Sequence, residues 1–580
     1  MYTETMRRRS ALYLLISHFV LNVYAQDIPL PIQIAASTTH YGPDGPWQAV
    51  SVSLGKPLQQ LDLYPGSTFE TIILAQSVCK GVKSICGTGG LFDPSASSTI
   101  DDSSIAYSGH SFGDTVDWTI GAMLNRGNAI YVMDQLTLGS RAVTVPNISI
   151  RMMESVNTTY PDGATYPLQV GQLALGASIA NQSFSMANGP SINASLTPNY
   201  LQRHGYIPTS SYGMHIGSAA LNLPLSLWLG GYDMSRVLGP VSAQPYSANI
   251  TNNNFLIDLL DIGVGVEYGG SPFSYQARQG LLAEKNSSIT SLSVAMNSAA
   301  PYMYLPNSTC AALTRDLPVV YSTKYGLYLW NVTDPQYAKV ITAPTYLSFV
   351  FRTAGQNLTI KVPFQLLNLT LDSPMVDSPT PYFPCTTPQD SPFYSLGRAF
   401  LQAAFIGVDW DQGLGQWFLA QAPGPNTASN PLQTPITGIK LESSNTDWSD
   451  TWKPLWTALP AASANTTSST DSNAPATPTH LSTGAYAGIG VGIASLVLAL
   501  LVAAVYFYGR RRKDRSSRLL RDTALQSESK YPEANTLHTS PPLQEAPVHP
   551  VELSTREYMS SELGGTSRWE RPPQEMPASG

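Results

Sequence analysis

The chain has 580 residues, and its 39 Asp and Glu against 32 Lys and Arg give a net charge of −7. This acidic balance argues against a nucleic-acid-binding protein, because phosphate backbones require a basic surface. The length allows several domains, and the 45 prolines and 44 glycines predict many turns and disordered ends.

The first 25 residues predict a signal peptide. Arg7–Arg9 supply a basic region, Ala11–Val23 an apolar stretch, and Ala25 ends a small-residue cleavage site. An uncleaved signal anchor is the alternative, although the stretch is short for a membrane span and Ser17 and His18 interrupt it.

Residues 45–420 predict a mostly β region. Short runs rich in Val, Ile, Leu, Tyr and Thr alternate with Gly, Pro and Asn clusters, as at Trp47–Leu54, Ala129–Leu138 and Tyr346–Phe351. Long amphipathic helical patterns are scarce. The region is too long for one sandwich, so we expect two packed halves, residues 45–215 and 216–422.

The same region carries the features of an oxidising compartment. An even number of cysteines predicts two disulfides whose pairing the spacing leaves open: Cys79, Cys86, Cys310 and Cys385. There is no Cys-X-X-Cys and no paired-histidine spacing, so we predict no metal and no cofactor. All Asn-X-Ser/Thr sites precede residue 484 and predict glycosylation outside the cytosol: Asn147, Asn157, Asn181, Asn193, Asn249, Asn286, Asn307, Asn331, Asn357, Asn368 and Asn465.

A series of short motifs recurs in the order known from one family. The motifs are Gly55–Gln59 (GKPLQ), the Cys79–Cys86 loop, Leu91–Thr99 (LFDPSASST), Gly171–Gly176 (GQLALG), Trp228–Asp233 (WLGGYD) with Gly239-Pro240, and Leu396–Leu401 (LGRAFL) with Val408-Asp409. Over roughly residues 45–420 the chain resembles the pepsin-like aspartic peptidases. The resemblance implies a bilobal double β-barrel with a cleft between the lobes. It also implies the pairs Cys79–Cys86 and Cys310–Cys385.

Both catalytic aspartates of that family are missing. The family places one aspartate on each of two turns, where both face one water. Spacing puts Gly66 at the first position, whereas matching the Gly-Ser letters puts Tyr64 there; spacing needs no gap. Counting back from Leu305-Pro306 puts Asn297 at the second position, and a carboxamide is no general base. We therefore predict no catalytic residue.

Other candidate residues carry weaker signals. Asp62, the nearest acid, lies four residues before Gly66 and is interpreted as a strand residue. Tyr107 resembles the family's flap tyrosine, but it is one residue short of the family spacing. Ser111 lies in a formal Gly-X-Ser-X-Gly motif without a predicted helix after it, and no spacing marks His204 or His215 as its base.

The rest of the chain predicts a stalk, a span and a tail. Residues 423–483 are rich in Pro, Ser, Thr and Asn and predict an extended stalk. Trp448, Trp452 and Trp456 are the exception; they indicate a short helix on the lobe or on lipid headgroups, or only a local cluster.

Residues 484–508 are uncharged and free of proline, which predicts a membrane helix rather than a buried core helix. The basic run Arg510–Lys513 places the C-terminus in the cytosol, and residues 509–580 predict a disordered tail. Gly484, Gly488 and Gly492 permit a homodimer through close helix contact, or are merely tolerated in the membrane.

These features predict a type I single-pass surface glycoprotein in the plasma membrane or another secretory-pathway membrane. Its aspartic-peptidase-like ectodomain would bind a peptide, a cell-wall component or a partner protein without catalysis, and its tail would be available for signalling. One alternative is a membrane-tethered aspartic endopeptidase with displaced carboxylates. Another is a cell-wall sensor in which the lobes are only a rigid spacer. The layout of stalk, span and tail in the type I surface protein resembles that of fungal surface proteins.

Overall fold

The computed structural model describes residues 29–82, 85–101, 110–112, 124–139, 141–161, 163–177, 181–186, 189–246, 255–282, 290–388, 394–411, 415–427, 433–436 and 440–461. All of them belong to one compact unit, Met1–Asn465. The predicted signal peptide, membrane span, tail and Tyr107 lie outside the described residues. Within the described ranges, no helix is long and apolar enough to cross a membrane.

The structure is mostly β, as predicted. The strands of the first half are β1 Ile32–Ile34, β2 Ala36–Tyr41, β3 Trp47–Leu54, β4 Gln59–Gly66, β5 Thr71–Leu74, β6 His110–Phe112, β7 Leu124–Leu138, β8 Val143–Thr159, β9 Thr165–Pro167, β10 Gly171–Ala174, β11 Asn181–Met186, β12 Gly189–Ser195, β13 Ser211–His215, β14 Ser226–Leu229, β15 Gly231–Asp233 and β16 Leu238–Pro245.

The strands of the second half are β17 Phe255–Val266, β18 Ala277–Arg278, β19 Leu292–Met296, β20 Met303–Tyr304, β21 Val319–Ser322, β22 Leu327–Trp330, β23 Thr345–Phe351, β24 Leu358–Pro363, β25 Leu369–Leu371, β26 Thr380–Phe383, β27 Cys385–Thr386, β28 Tyr394–Leu396, β29 Ala404–Asp409, β30 Gln416–Gln421 and β31 Gln433–Pro435. Four described helices are short: α1 Thr197–Arg203, α2 Asn307–Thr314, α3 Pro335–Thr342 and α4 Arg398–Leu401.

The predicted strands form where the apolar pattern places them. Trp47–Leu54 is strand β3, and buried and half-buried residues alternate along most of it, as expected for a strand with one face on the core. The runs Ala129–Leu138 and Tyr346–Phe351 lie within β7 and β23. The short apolar runs therefore predicted these three strands correctly.

The sheets form two lobes with the same central arrangement. In the nine-stranded N-lobe sheet, β10 lies between parallel β4 and antiparallel β5, and β5 runs parallel to β8. In the eight-stranded C-lobe sheet, β28 lies between parallel β19 and antiparallel β20, and β20 runs parallel to β27. This repeated arrangement makes the two lobes comparable strand by strand.

A six-stranded sheet joins the halves of the chain. Its order is β1-β14-β13-β29-β30-β16, so it combines strands from the beginning, the middle and the end of the unit. The predicted boundary between residues 215 and 216 falls between β13 and β14, which pair within this sheet. The packed unit also starts earlier than residue 45, because Ile32 and Ile34 are buried against it.

Both predicted disulfides are present. Cys79 bonds to Cys86 in a short N-lobe loop, and Cys310 of α2 bonds to Cys385 of β27 across a sequence separation of 75 residues. The pairing implied by the family resemblance is therefore confirmed.

Part of the predicted stalk packs on the C-lobe. Trp452 is fully buried, and its ring centroid lies 6.4 Å from that of Trp448 and 5.8 Å from that of Trp456. The Thr457 amide donates to the Thr342 carbonyl at 2.8 Å, which fixes the segment beside α3. The stalk boundary at 423 therefore needs correction, because three large aromatic rings gain more by burial against the lobe than by remaining in water.

Candidate functional site

Two tight turns occupy matching positions in the two lobes. Gly66 ends β4, one residue after the position that pairs with Leu173 of β10. Asn297 directly follows β19, one residue after the position that pairs with Leu396 of β28. The sheet registers therefore match Gly66 with Asn297, whereas Tyr64 lies two residues earlier on β4.

A hydrogen bond joins the two turns. The buried Ser298 hydroxyl donates to the Pro65 carbonyl at 2.5 Å, although 233 residues separate them in the chain. Each of these residues is a direct neighbour of one of the matched positions. The turns that would carry the two aspartates in the resembling family thus meet at the seam between the lobes.

The first turn has no room for a side chain at residue 66 while Gln172 keeps its position. A Cβ atom added to Gly66 would lie 1.7 Å from Nε2 of Gln172, which is far inside van der Waals contact. Gln172 is buried and its Nε2 donates to the Thr68 hydroxyl at 3.3 Å. The carboxamide of Gln172 therefore occupies the space that an aspartate would need, and the turn presents no carboxylate.

The second turn presents a carboxamide. Oδ1 of Asn297 accepts the backbone N–H of Ala299 at 3.0 Å, which closes the turn locally. A carboxamide donates and accepts hydrogen bonds but does not take up a proton near neutral pH. Asn297 can therefore position a polar group, and it cannot share a proton as a paired carboxylate does.

A buried arginine supports the second turn. Nη1 of Arg398, the first residue of α4, donates to the Ser298 and Ala299 carbonyls at 3.2 and 2.7 Å. Its guanidinium lies over the rings of Tyr64 and Trp47, at 4.2 and 4.9 Å from their centroids. Desolvated cation–π contacts of this kind contribute about 2 kcal/mol, so the cation helps hold both lobes at the seam.

A buried aspartate faces the same seam from the N-lobe. Asp44 lies in the turn between β2 and β3, and its Oδ1 accepts the Trp47 indole N–H at 2.9 Å. The Tyr382 hydroxyl donates to the Asp44 backbone carbonyl at 2.6 Å, so the C-lobe holds this turn directly. Burial first and then the Asp44 charge raise the pKa of Tyr302 and Tyr304.

Sequence reasoning missed Asp44, Gln172 and Arg398. Gln172 and Arg398 stand inside the motifs GQLALG and LGRAFL, where a polar or charged letter between apolar ones was an available signal. Asp44 lies just before the matched region and has no motif of its own. Only the lobe packing brings these three residues to one seam.

Asp62 is held by hydroxyl groups. One carboxylate oxygen accepts Ser51 Oγ at 2.6 Å, and the other accepts Ser37 Oγ at 2.5 Å and the Tyr41 hydroxyl. These contacts join β2, β3 and β4 on one face of the N-lobe sheet. Asp62 thus has the contacts of a strand residue that fastens its neighbours.

The remaining candidates lie apart from the matched turns or outside the described side chains. Ser111 lies on β6, opposite Asn128 of β7, and residues 113–123 are not described. His204 is exposed, its ring stacks on Tyr200 at 3.9 Å, and its Nδ1 bonds the Tyr200 carbonyl. The side chain of Ser111 lies outside the described side chains.

His215 is a buried structural residue. Its Nε2 donates to the Gln402 carbonyl at 2.8 Å, and Arg236 Nη1 donates to its Nδ1 at 3.4 Å. Burial, and secondarily the Arg236 charge, lowers the pKa of His215 to about 3. The pKa of Asp409 shifts in the opposite direction, because burial raises it to about 6.

These two residues predict how stability depends on pH. Between about pH 6.5 and 3 the unfolded chain protonates His215 and the folded chain does not, so acid removes about 1.4 kcal/mol of stability per pH unit. Asp409 opposes this between about pH 6 and 4, because the folded chain then binds its proton more tightly. The pH range over which His215 acts is wider than that of Asp409. We therefore expect the two residues together to lower the stability of the protein in acid.

Urea denaturation at pH 7 and pH 4.5 measures this dependence. The glutamine amide in His215→Gln can still donate a hydrogen bond to the Gln402 carbonyl. In this variant the loss of unfolding free energy between pH 7 and pH 4.5 should be smaller by about 2.5 kcal/mol. In Asp409→Asn the loss of unfolding free energy over the same pH interval should be larger by about 2 kcal/mol. Equal losses in the wild type and both variants would contradict the assignment.

Several predicted glycosylation sites are accessible. Asn147, Asn157, Asn307, Asn331 and Asn357 are exposed, and Asn368 is half-buried with its side chain bonded to the Tyr337 hydroxyl at 3.2 Å. The other sites fall outside the described side chains: Asn181, Asn193, Asn249, Asn286 and Asn465. Glycosylation stays a prediction at all of them.

Comparison with known proteins finds distant likenesses among solved structures. No protein-family model and no curated protein matches the chain. Among solved structures, the chain is similar to an aspartic proteinase from Irpex lacteus, with a TM-score of 0.43 and 15% identity. The alignment covers 68% of this chain and 97% of that chain. A likeness this distant transfers no residue role.

Proposed function

We propose that this chain is a type I surface glycoprotein whose ectodomain is a pepsin-like domain that binds a ligand between its lobes without cleaving peptides. The observation that carries the proposal is the first turn. Gly66 has no side chain, and the Gln172 carboxamide fills the space where a carboxylate would stand.

The chemistry of the family explains why this change removes hydrolysis. Two close carboxylates share one proton, so that one acts as base on the water while the other acts as acid. Here the matched positions hold Gly66 and Asn297, and neither can act as a general base. Arg398 adds a positive charge beneath the second turn.

The contacts of Asp62 argue against a displaced dyad. Both of its carboxylate oxygens accept hydrogen bonds from the hydroxyls of Ser37, Tyr41 and Ser51. A carboxylate that accepts hydrogen bonds from three strand residues is not free to activate water. The endopeptidase alternative would thus require breaking contacts that hold β2, β3 and β4 together.

The membrane part of the proposal rests on sequence. The apolar segment 484–508, the basic run after it and the sequons before it predict one orientation. Glycosidase treatment of the cellular protein should reduce its apparent mass, and external protease should remove the ectodomain while sparing residues 509–580. A tail that external protease digests in intact cells would overturn this orientation.

A proteolysis assay tests the proposed loss of catalysis. The purified full-length chain is incubated with unfolded protein substrates between acid and neutral pH, with and without a pepstatin-type inhibitor. An active pepsin-like peptidase serves as the positive control. We expect no inhibitor-sensitive cleavage at any pH. Inhibitor-sensitive turnover that Asp62→Asn or Asp44→Asn abolishes would establish a displaced dyad and overturn the proposal.

A further inference from the structure

A small cavity lies at the seam beside the second turn. Its volume is about 60 Å³, and Asp44, Tyr64 and Gln172 of the N-lobe line it together with Ala299 and Arg398 of the C-lobe. The remaining walls are largely apolar, with side chains from β5, β10 and the segment between β9 and β10. A cavity with apolar walls and a few convergent polar groups is typical of a small-molecule site.

Two buried polar atoms of residues on its wall have no partner among the described residues: Nε of Arg398 and Oε1 of Gln172. Asp44 is also buried, and the Trp47 indole donates to only one of its carboxylate oxygens. Asp44 and Arg398 form no ion pair with each other within 4 Å. Buried charges normally pair, because leaving one unpaired costs several kcal/mol. The cavity thus separates two charges that each need a counter-charge.

The signs of these charges restrict the ligand. A simple anion would satisfy the Arg398 guanidinium and bring a second negative charge toward Asp44. A simple cation would satisfy Asp44 and be repelled by Arg398. A zwitterion satisfies both groups at once, with its carboxylate on Arg398, its ammonium on Asp44 and no net charge added to the seam.

The volume restricts the ligand further. One water needs about 10 to 15 Å³ of such space, so a cavity of about 60 Å³ favours a compact ligand with few non-hydrogen atoms. Glycine has five such atoms and alanine six, whereas leucine has nine. We propose that the seam cavity binds a small α-amino acid as its zwitterion. This proposal rests on the proposed function and names the ligand class of the same cleft.

Titration calorimetry on the full-length chain at neutral pH tests the proposal with glycine and alanine as probes. Acetate lacks the ammonium, methylamine lacks the carboxylate, and leucine is too large. We expect each of the three to bind about tenfold to a hundredfold more weakly than glycine, because each loses a charged hydrogen bond or does not fit. Acetate binding as tightly as glycine would overturn the zwitterion, and leucine binding as tightly would overturn the size limit.

Two variants locate the binding. Asp44→Asn keeps an acceptor for the Trp47 indole and removes the negative charge. It should therefore weaken glycine binding about tenfold or more and leave acetate binding unweakened. Arg398→Met should weaken the binding of both glycine and acetate. The matched control is Arg352→Met, which removes an exposed arginine paired with Asp258 at 3.1 Å. It should change neither the glycine affinity nor the acetate affinity.

Failures of the two proposals are distinguishable. Thermal unfolding identifies a variant that no longer folds, and Asp44→Asn then decides the question because its indole contact remains. No heat from glycine or alanine at millimolar concentration would mean that water alone fills the cavity, which overturns this inference and leaves the lack of proteolysis standing. Inhibitor-sensitive proteolysis would overturn the proposed function, whatever the amino-acid titration shows.

Discussion

Replacing Gly66 with alanine should destabilise the protein by about 1–3 kcal/mol, the usual cost of overpacking a filled site. The added Cβ would lie 1.7 Å from Nε2 and 2.5 Å from Cδ of Gln172. Gln172 must therefore turn away, which breaks its bond to Thr68 and strains the surrounding β5 and β10 contacts. The cost arises from a side chain and not from backbone geometry, so it should depend on residue 172.

A double-mutant cycle measures that dependence. Gly66→Ala in the background of Gln172→Ala should cost at least about 1 kcal/mol less than in the wild type, because the colliding atoms are gone. Urea denaturation of the four proteins gives the coupling energy. The matched control is Gly355→Ala, where an added Cβ meets nothing within 4 Å and the change should stay within about 0.5 kcal/mol.

The same cycle also tests the proposed loss of catalysis. If Gly66→Ala costs no more than Gly355→Ala in the wild-type background, Gln172 does not occupy the aspartate position. The first turn would then have space for a carboxylate. A strong coupling would instead mean that restoring an aspartate at residue 66 requires removing Gln172 as well.

Removing the Cys310–Cys385 disulfide should cost about 4 kcal/mol. The bond closes a loop with a sequence separation of 75, and loop-closure entropy of the unfolded chain gives about 4.5 kcal/mol for that length. The same relation gives about 2.4 kcal/mol for Cys79–Cys86, with a separation of 7. Both half-cystines of the long-range bond are buried, so their loss also affects packing between α2 and β27.

Paired alanine variants compare the two bonds directly. Cys310→Ala/Cys385→Ala should unfold at a lower denaturant concentration than Cys79→Ala/Cys86→Ala, with a stability difference of about 2 kcal/mol. Each protein is measured under non-reducing conditions, and the reduced wild type shows the combined loss. Equal losses in the two paired variants would contradict the loop-length argument, as would a larger loss for the short loop.

The local pattern was sufficient for much of the fold. The short apolar run Trp47–Leu54 located β3, and the structure shows that burial alternates along most of this strand. The series of turns identified the lobes by resemblance, and the resemblance paired the four cysteines correctly. The segment around Trp452 departs from the prediction: its polar composition predicted a stalk, whereas Trp452 and Trp456 are buried and Trp448 is half-buried against the lobe.

The sequence by itself determined that neither matched turn carries a carboxylate, since residues 66 and 297 are a glycine and an asparagine. Only the tertiary structure decided what stands there instead. Asp44, Gln172 and Arg398 are far apart in the chain, and they meet through strand register and lobe packing. Sequence patterns report the backbone over a few residues, whereas burial of two separate charges at one cavity depends on contacts between distant segments.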